Sequence, residues 1–198
     1  MKKIFQTDNP KIIEALLSDV EYATLALCAN DKPYAFAVNF VKVEDAIYFH
    51  GAQKGKKVEL LQQNPYASMS VVKPYSIIPS YFSTTDALAC PATQFFASLV
   101  IDGAIVFVQD YEEKVQALEA LMQKLQSEGK YTPLDDKVYE KIVHATCVYK
   151  LISLNISAKL KFGQNLSKER FEMIVEHLQK RATPQDRKTL EMMQSYVK

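Results

Sequence analysis

One stretch of the sequence combines side chains that could bind an anion with a backbone that would help them. His50 and Gly51 end an apolar run, and Lys56 and Lys57 follow after a short polar turn. Residues 47–65 therefore predict a strand, a turn and a helix that begins at the two lysines. A helix N-terminus carries unpaired amide hydrogens and a partial positive charge, to which the lysines add. The arrangement indicates a phosphate site.

The same residues also have ordinary structural interpretations. Lysine is common at solvated helix starts, and a pair of lysines is weak evidence for a site by itself. His50 could be a histidine that serves only packing. It could also contact a ligand and donate a proton, since its ordinary pKa is near neutrality. On these residues alone, both interpretations of the segment stay open.

Other familiar chemistries lack their motifs in this chain. There is no glycine-rich loop of the G-x-G-x-x-G or G-x-x-x-x-G-K-S type, and the chain has only five glycines. A G-x-S-x-G nucleophile elbow is also missing, which argues against an α/β-hydrolase. His50, His144 and His177 form no H-x-x-x-H pattern, and His144 with Cys147 is an isolated pair. The spacing therefore predicts no metal site.

Composition limits the class of protein. The chain has 198 residues, of which 48% are hydrophobic and 24% charged, as in ordinary globular proteins. That length suffices for one substantial domain. The net charge of +1 gives no overall basic field for nucleic acid. Three widely spaced cysteines and an N-terminus without a signal-peptide pattern predict a cytoplasmic protein.

The elements before the lysine pair are predicted to form an antiparallel meander. Strands are expected over residues 22–28, 34–43 and 46–50. The turns between them are too short for a parallel crossover, which needs a dozen or more residues. A helix precedes the meander, with Pro10 at its first position.

Later segments are predicted to add two strands and a long loop. Residues 68–72 and 95–108 are expected to be strands, with Gly103 as a bulge or close backbone approach. Between them, residues 73–90 contain spaced prolines and are predicted to form a loop. A loop of that length in a compact domain is usually functional or mobile.

Three helix starts are predicted from capping residues. Asp110 with Glu113 resembles a capping box and opens an amphipathic helix. After a last strand over residues 147–155, Ser167 and Thr183 each precede a terminal helix and are expected to cap it.

Six short blocks occur in order over roughly residues 10–160 and together form a specific pattern. The blocks are Thr24-Leu25-Ala26; Pro33-Tyr34; Val38-Asn39-Phe40-Val41; Ile47-Tyr48-Phe49-His50 with Gly55-Lys56-Lys57; Ala89-Cys90 before Ser98-Leu99-Val100-Ile101 and Gly103; and Glu112-Glu113-Lys114 with Ala117-Leu118. On these blocks the chain resembles the pyridoxamine 5'-phosphate oxidase-related flavoproteins, and within them the nitroimidazole-resistance-type branch.

The resemblance implies a fold, a cofactor and an assembly. The fold would be mainly β with helices (α+β), an antiparallel split β-barrel of the FMN-binding type. Residues 1–160 would form that domain, and residues 161–198 a C-terminal helical extension that is not an independent domain. Members of the superfamily bind FMN at a dimer seam, so we expect a homodimer that acts on a small-molecule substrate.

The resemblance also assigns roles near the cofactor phosphate. Lys56 and Lys57 fall where the family places the basic pair that grips the FMN phosphate. His50 and Gly51 fall where the family's oxidases line the ribityl and phosphate region, and His50 is the candidate catalytic residue. The family usually has arginine at the position of Lys56, and lysine keeps the charge but loses the bidentate fork.

Further positions are expected along the flavin ring. Val38, Asn39 and Phe40 match the strand whose backbone runs along the isoalloxazine, and we expect the Asn39 amide to be buried and to need a partner. Ser98 falls where a polar side chain meets the flavin. The branch's T-x-R-Y-x-S stretch lacks its arginine here, since Phe95 stands in that place. The substrate is therefore left open.

The implied activity is an oxidoreductase. A reduced nicotinamide or another donor would supply electrons to FMN, and a nitro-compound or quinone-like molecule would accept them. Turnover itself is left open.

Two alternatives follow from the C-terminal region. Some split barrels of this superfamily use haem, for which His177 could be an axial ligand. The residues 161–165, KFGQN, and the helices after them resemble the tail of FMN-binding negative regulators. Residues 159–188 hold eight Lys/Arg against four Asp/Glu, so a regulator that contacts DNA through this tail is the second alternative.

Overall fold

The structure, a computed structural model, describes residues 2–196, which form eight strands and six α-helices. The strands are β1 (Gln6–Thr7), β2 (Tyr22–Ala29), β3 (Lys32–Asn39), β4 (Val41–Val43), β5 (Ala46–Gly51), β6 (Tyr66–Ile78), β7 (Thr93–Phe107) and β8 (Cys147–Lys161). The helices are α1 (Pro10–Asp19), α2 (Lys56–Gln63), α3 (Tyr111–Leu125), α4 (Glu140–Ala145), α5 (Lys168–Arg181) and α6 (Pro184–Tyr196). The predicted α+β class is confirmed.

The tight turns of the meander form as predicted, but the single strand predicted over 34–43 is wrong, because β3 and β4 are separate strands at opposite ends of the strand order. Strands β2 and β3 pair in antiparallel register, and only Asn30 and Asp31 lie between them. Both turn residues have positive φ, 51° and 58°. Two-residue turns of this kind match the right-handed twist of the strands that they join, and Asn and Asp tolerate the conformation.

The strands belong to one sheet with the order β3-β2-β6-β7-β8-β5-β4, and β1 pairs with β8. Strand β3 is at one end of this order, so the backbone groups on its outer side have no ladder partner among the described strands. Strands β5 and β8 are antiparallel, with His50 opposite Val148 and Gly51 opposite Cys147. This register brings residues about a hundred positions apart beside the end of β5.

The described residues form two compact units, each made of segments distant in sequence. The meander unit comprises residues 10–71 and 99–157, and the tail unit comprises residues 2–9, 72–98 and 158–196. Strands β6, β7 and β8 each contribute residues to both units. The division into a domain over 1–160 and an extension over 161–198 stays a prediction, and residues 197 and 198 lie outside the described range.

Helix α3 closes part of the meander unit. Its N-cap is Asp110, whose carboxylate accepts a hydrogen bond from the Glu113 amide at 2.8 Å, so the predicted helix start is confirmed. The apolar face of α3 packs on β4, β5 and β8 in one buried cluster. The cluster consists of Val41, Ala46, Tyr48, Val108, Ala117, Leu121 and Val148. Burial of these side chains holds β5, and with it His50, in place.

Both terminal helices in the tail unit begin at their predicted caps. The Ser167 hydroxyl accepts from the Arg170 amide at 3.4 Å at the start of α5. At the start of α6, the Thr183 hydroxyl accepts from the Asp186 amide, and the Asp186 carboxylate accepts from the Thr183 amide, each at 3.1 Å. This reciprocal pair is a capping box with aspartate in the acidic position.

The prediction of a loop over residues 73–90 is wrong for its first part, because β6 continues to Ile78. Pro74 suggested an interruption, since proline lacks the amide hydrogen that a ladder needs. The register with β2 ends at Ser70, so no donor toward β2 is required at Pro74. Strand β8 likewise runs on to Lys161, beyond the predicted end at 155, and the short helix α4 was not predicted.

Within residues 2–196, none of the helices has the length and apolar character needed to span a bilayer. The cytoplasmic location stays a prediction.

Candidate functional site

Helix α2 begins at Lys56, as predicted, and no side chain caps its N-terminus. The N-cap is Gly55, which offers no side chain to the first-turn amides. Its φ of 111° and ψ of 179° suit glycine alone. A methyl group placed on Gly55 would meet no atom within 4 Å. The N-terminus of α2 therefore combines uncapped amides with room for a ligand.

The ammonium group of Lys57 lies among three aromatic rings. Its Nζ is 4.4 Å from the ring centroid of Tyr149 and 5.8 Å from those of Phe36 and Phe49. Phe49 and Tyr149 stack on each other with centroids 4.9 Å apart and planes 9° from parallel. Burial lowers the pKa of Lys57 below its ordinary value, and the nearby Cys147 partly opposes that change. We call Phe36, Phe49 and Tyr149 the aromatic box.

Gly51 makes room for the ammonium in this box. A methyl group on Gly51 would overlap the Lys57 Nζ and come within 3.7 Å of the Tyr149 ring. The Tyr149 hydroxyl donates a hydrogen bond to the Ala52 carbonyl at 2.9 Å, which fixes the chain just after Gly51. The glycine predicted for this site thus has a steric role, because a side chain there would displace Lys57.

Lys56 points to a different ring. Its Nζ is 4.2 Å from the centroid of Tyr34, and the Lys56 side chain is exposed. Tyr34 and Phe36 share one face of β3, with ring centroids 5.2 Å apart. The sequence interpretation missed this aromatic support, although residues two apart on a predicted strand share a face. Each of the two lysines is therefore held against an aromatic residue of β3.

His50 lies at the exposed end of β5 beside Lys57. Burial of its ring lowers the pKa of His50, and the positive charge of Lys57 lowers it further. The residue is still exposed to solvent. A lowered pKa favours the neutral imidazole, which carries no charge for a phosphate. It can still donate or accept a hydrogen bond.

The expectation of a buried Asn39 amide is wrong. Val38 and Phe40 are buried, but Asn39 points to the opposite, exposed side, as strand alternation requires. Its Nδ2 donates to the Glu21 carbonyl at 3.1 Å, so the amide has a partner within the protein. At this point of β3, the groups without a ladder partner among the described strands are the backbone donors and acceptors on its outer side.

The eighth predicted site residue, Ser98, is half-buried on β7 and belongs to the tail unit. The other seven belong to the meander unit. Of these, His50, Gly51 and Lys57 are brought together. The role of each residue toward a cofactor stays a prediction.

His177, the haem-ligand alternative, is a packed ring in the tail unit. It stacks on Phe82 with centroids 4.5 Å apart and planes 12° from parallel, and Tyr81 meets it edge-on at 6.0 Å. Its axial ligation stays a prediction. Among residues 2–196, no group of three or more His, Cys, Asp or Glu side chains is placed to hold a metal ion.

The basic residues of the DNA alternative are partly engaged within the tail unit. The Arg181 guanidinium pairs with the buried Asp186, with Nη2 to Oδ1 at 2.5 Å. The Arg170 Nε donates to the Ser83 carbonyl at 3.1 Å. Two of the eight basic residues are therefore engaged in contacts within the protein.

Comparison with known families and structures agrees with this fold. The family model described as pyridoxamine 5'-phosphate oxidase matches residues 9–159. No match was found among curated proteins. A protein of Bacteroides thetaiotaomicron named for resistance to 5-nitroimidazole antibiotics has a TM-score of 0.63 at 19% identity. That alignment covers 78% of this chain and 85% of the other.

Two further solved structures are similar over most of the chain. The FAD- and haem-binding protein of Mycobacterium smegmatis has a TM-score of 0.65 at 21% identity, covering 79% of this chain and 73% of its own. The flavocytochrome Anf3 of Azotobacter vinelandii has a TM-score of 0.67 at 18% identity, covering 81% and 72%. At these identities the similarity concerns the fold, and it confirms the predicted split-barrel class.

Proposed function

Because the chain belongs to the pyridoxamine 5'-phosphate oxidase family, we propose that it is an FMN-binding oxidoreductase. Electrons would come from a reduced nicotinamide or another donor and pass to a small nitro-compound or quinone-like acceptor. Two similar folds carry the names of a FAD- and haem-binding protein and a flavocytochrome, which supports a flavin in this chain. The observation that carries the proposal is the uncapped, doubly basic N-terminus of α2.

The phosphate of FMN would bind at that N-terminus. Gly55 supplies no side-chain cap and leaves open space at the start of α2, and Lys56 and Lys57 in the first turn supply two positive charges. Because Lys57 is half-buried, its charge is poorly solvated, which strengthens its attraction for an anion. The His50 imidazole can hydrogen-bond the ribityl chain.

The ring of the flavin would lie along β3. The outer side of this strand has free backbone donors and acceptors near Val38 and Asn39, and flavin nitrogens and carbonyls need such partners. Buried Phe40 anchors the end of the strand in the core. Bound FMN would supply the hydride chemistry, and these residues would orient it and exclude water from one side.

The assembly would be a homodimer, with FMN at the seam between the subunits. Strands β7 and β8 of the meander unit expose five apolar side chains. They are Val100, Val106, Ile152, Leu154 and Ile156, with exposed fractions of 37%, 45%, 45%, 68% and 39%. Exposed apolar side chains concentrated on two strands of one sheet are typical of an interface, and a second copy of the chain would bury them.

Titration with FMN and with riboflavin tests the phosphate site directly. We expect a yellow complex with FMN, and Lys57→Met should weaken FMN about tenfold or more, since a charged hydrogen bond to the phosphate is lost. Riboflavin has no phosphate, so its affinity should change little. Fluorescence quenching of the flavin measures both.

Lys54→Met is the matched control, because Lys54 lies in the exposed turn before α2 and its loss changes the net charge equally. It should leave FMN affinity nearly unchanged. Equal weakening of FMN and riboflavin by Lys57→Met would contradict the phosphate role. If neither flavin binds, the proposed function is wrong.

A further inference from the structure

A cavity of about 350 Å³ lies within the tail unit, where β7 begins and β8 ends beside α5. Its walls include Thr93 and Phe95 of β7, Lys161 at the end of β8, and Arg170 of α5. None of the eight residues predicted for the flavin site lines it. The volume is in the range of pockets that take small ligands.

The cavity contains two positive side chains without a carboxylate. Lys161 donates to the Thr93 hydroxyl, and Arg170 donates through Nε to the Ser83 carbonyl at 3.1 Å and through Nη2 to the Ser83 hydroxyl at 3.4 Å. Among the described residues that line the cavity, none is Asp or Glu. Their partners are all neutral oxygens, so both charges stay uncompensated.

The charge of Lys161 is also poorly solvated. Burial lowers the pKa of Lys161 below its ordinary value, and the charge of the neighbouring Lys159 lowers it further. A bound anion would offset both effects, because an opposite charge at hydrogen-bond distance favours the protonated amine. The cavity is therefore built to accept negative charge.

The loop that closes the cavity holds its shape by its own hydrogen bonds. Gln164 accepts from the Phe162 amide at 2.8 Å and donates to the Leu160 carbonyl at 3.0 Å. Gly163, with φ of 88°, has no room for a side chain without crowding Leu166, whose Cδ1 would lie 3.1 Å from it. This turn presents Lys161 and Asn165 to the cavity.

The remaining walls are apolar. Phe95 and Ile174 are each only 1% exposed, and Leu166 and Pro91 complete this side. An inorganic anion would leave these walls without a partner, whereas an organic one would contact them.

We propose that the tail-unit cavity is a binding site for a small organic carboxylate. Its carboxylate would contact Lys161 and Arg170, with hydrogen bonds from Thr93 or Asn165, and its apolar part would pack on Phe95 and Ile174. The site is proposed independently of the flavin site, because the two share no residue.

Calorimetric titration with benzoate tests this site on the full chain. We expect saturable binding of one benzoate per chain, weakened about tenfold or more by Lys161→Met, which removes one charged contact. Lys159→Met is the matched control, two residues away on the same strand, where the amine lies over the rings of Phe5 and Phe96. It should bind benzoate nearly as the wild type does.

Several results would overturn the proposal. They are no binding of benzoate, equal binding by Lys161→Met and the wild type, and binding of inorganic phosphate in place of benzoate. Flavin titration of the same samples is a separate readout, so failure of either proposal can be recognised alone.

The exposed Cys90 gives a second measurement that needs no calorimetry. Cys90 lines the cavity, so in a Cys28→Ser/Cys147→Ser background its alkylation by iodoacetamide should slow severalfold when benzoate saturates the site. An alkylation rate that does not change with benzoate would count against the assignment even if calorimetry records binding.

Discussion

At the scale of single residues, the candidate site depends on how Lys57 is held. Its ammonium is enclosed by Phe36, Phe49 and Tyr149 and approached by the Gly51 backbone. Cation–π contacts of this kind stabilise a lysine by roughly 0.5–2 kcal/mol and restrict its rotamers. A lysine restricted in this way loses less entropy when it binds a phosphate.

Gly51→Ala should weaken FMN about as much as Lys57→Met does, because the added methyl group displaces the ammonium. The two changes act on one interaction, so the double variant should be no weaker than the stronger single variant. Flavin fluorescence titration of the two single variants and the double variant measures the coupling free energy between Gly51 and Lys57 in FMN binding. If the losses of FMN binding free energy in the two single variants add up in the double variant, Gly51 acts independently of Lys57.

The His50 imidazole should titrate below pH 6.5, because burial and the Lys57 charge both disfavour its protonated form. Two-dimensional NMR of the ring protons measures the midpoint. Lys57→Met should raise the midpoint partway toward 6.5, since burial, the larger cause, remains. Lys54→Met should not move it. A wild-type midpoint at or above 6.5 would contradict this account.

At the scale of elements, α5 and α6 are joined by one buried carboxylate. Asp186 has no exposed surface and accepts from the Arg181 Nε at 2.9 Å, the Ser76 hydroxyl at 2.6 Å and the Thr183 amide at 3.1 Å. The hydrogen bond from Arg181 is the main cause that holds the pKa of Asp186 well below its ordinary value. The ion pair therefore connects the cap of α6 to the end of α5.

Asp186→Asn should lower the free energy of unfolding by about 3 kcal/mol at pH 7, since Arg181 loses its charged partner. The pKa of Asp186 is lower in the folded state, so its contribution is complete above about pH 5 and declines as the pH falls below about 4. The difference in the free energy of unfolding between the wild type and Asp186→Asn should therefore shrink as the pH falls below about 4. Urea unfolding at several pH values measures it.

Glu191→Gln on the exposed side of α6 is the control for this prediction. Its effect should be within about 0.5 kcal/mol at every pH. A difference between wild type and Asp186→Asn that grows as the pH falls would contradict the assigned pKa direction.

At the scale of the whole molecule, the proposed seam depends on the five exposed apolar side chains of β7 and β8. Leu154→Lys places a charge at the most exposed of these five side chains, since Leu154 is 68% exposed. It should convert the dimer to a monomer in sedimentation experiments, because a buried unpaired charge opposes association. FMN bound at the seam should be released with it.

Val138→Lys is matched in exposure, at 67%, but belongs to the segment between α3 and α4 and not to β7 or β8. It should keep the dimer and the flavin. Dissociation by both variants or by neither would contradict the proposed seam.

Local features of the chain were predictable because their causes are local. The α2 start at Lys56 and the caps at Asp110, Ser167 and Thr183 depend on residues within about one turn. The hairpin at Asn30-Asp31 depends on two residues with positive φ. The family resemblance added the fold class, since its blocks are also short stretches of sequence.

Features that depend on distant residues were not predictable in this way. The strand over 73–78 was missed because the effect of Pro74 depends on where the pairing with β2 ends. Asn39 was expected to be buried, but its side of β3 is exposed. Each case requires knowledge of which neighbour lies beside the strand.

The sequence by itself determined the lysine pair, its helix and the family, because these rest on composition and short-range order. Only the tertiary structure decided that the β5–β8 register brings Tyr149 to Lys57, and that Thr93, Lys161 and Arg170 line one cavity. These residues are far apart along the chain. Strand pairing and burial bring them together, and neither is encoded in any single segment.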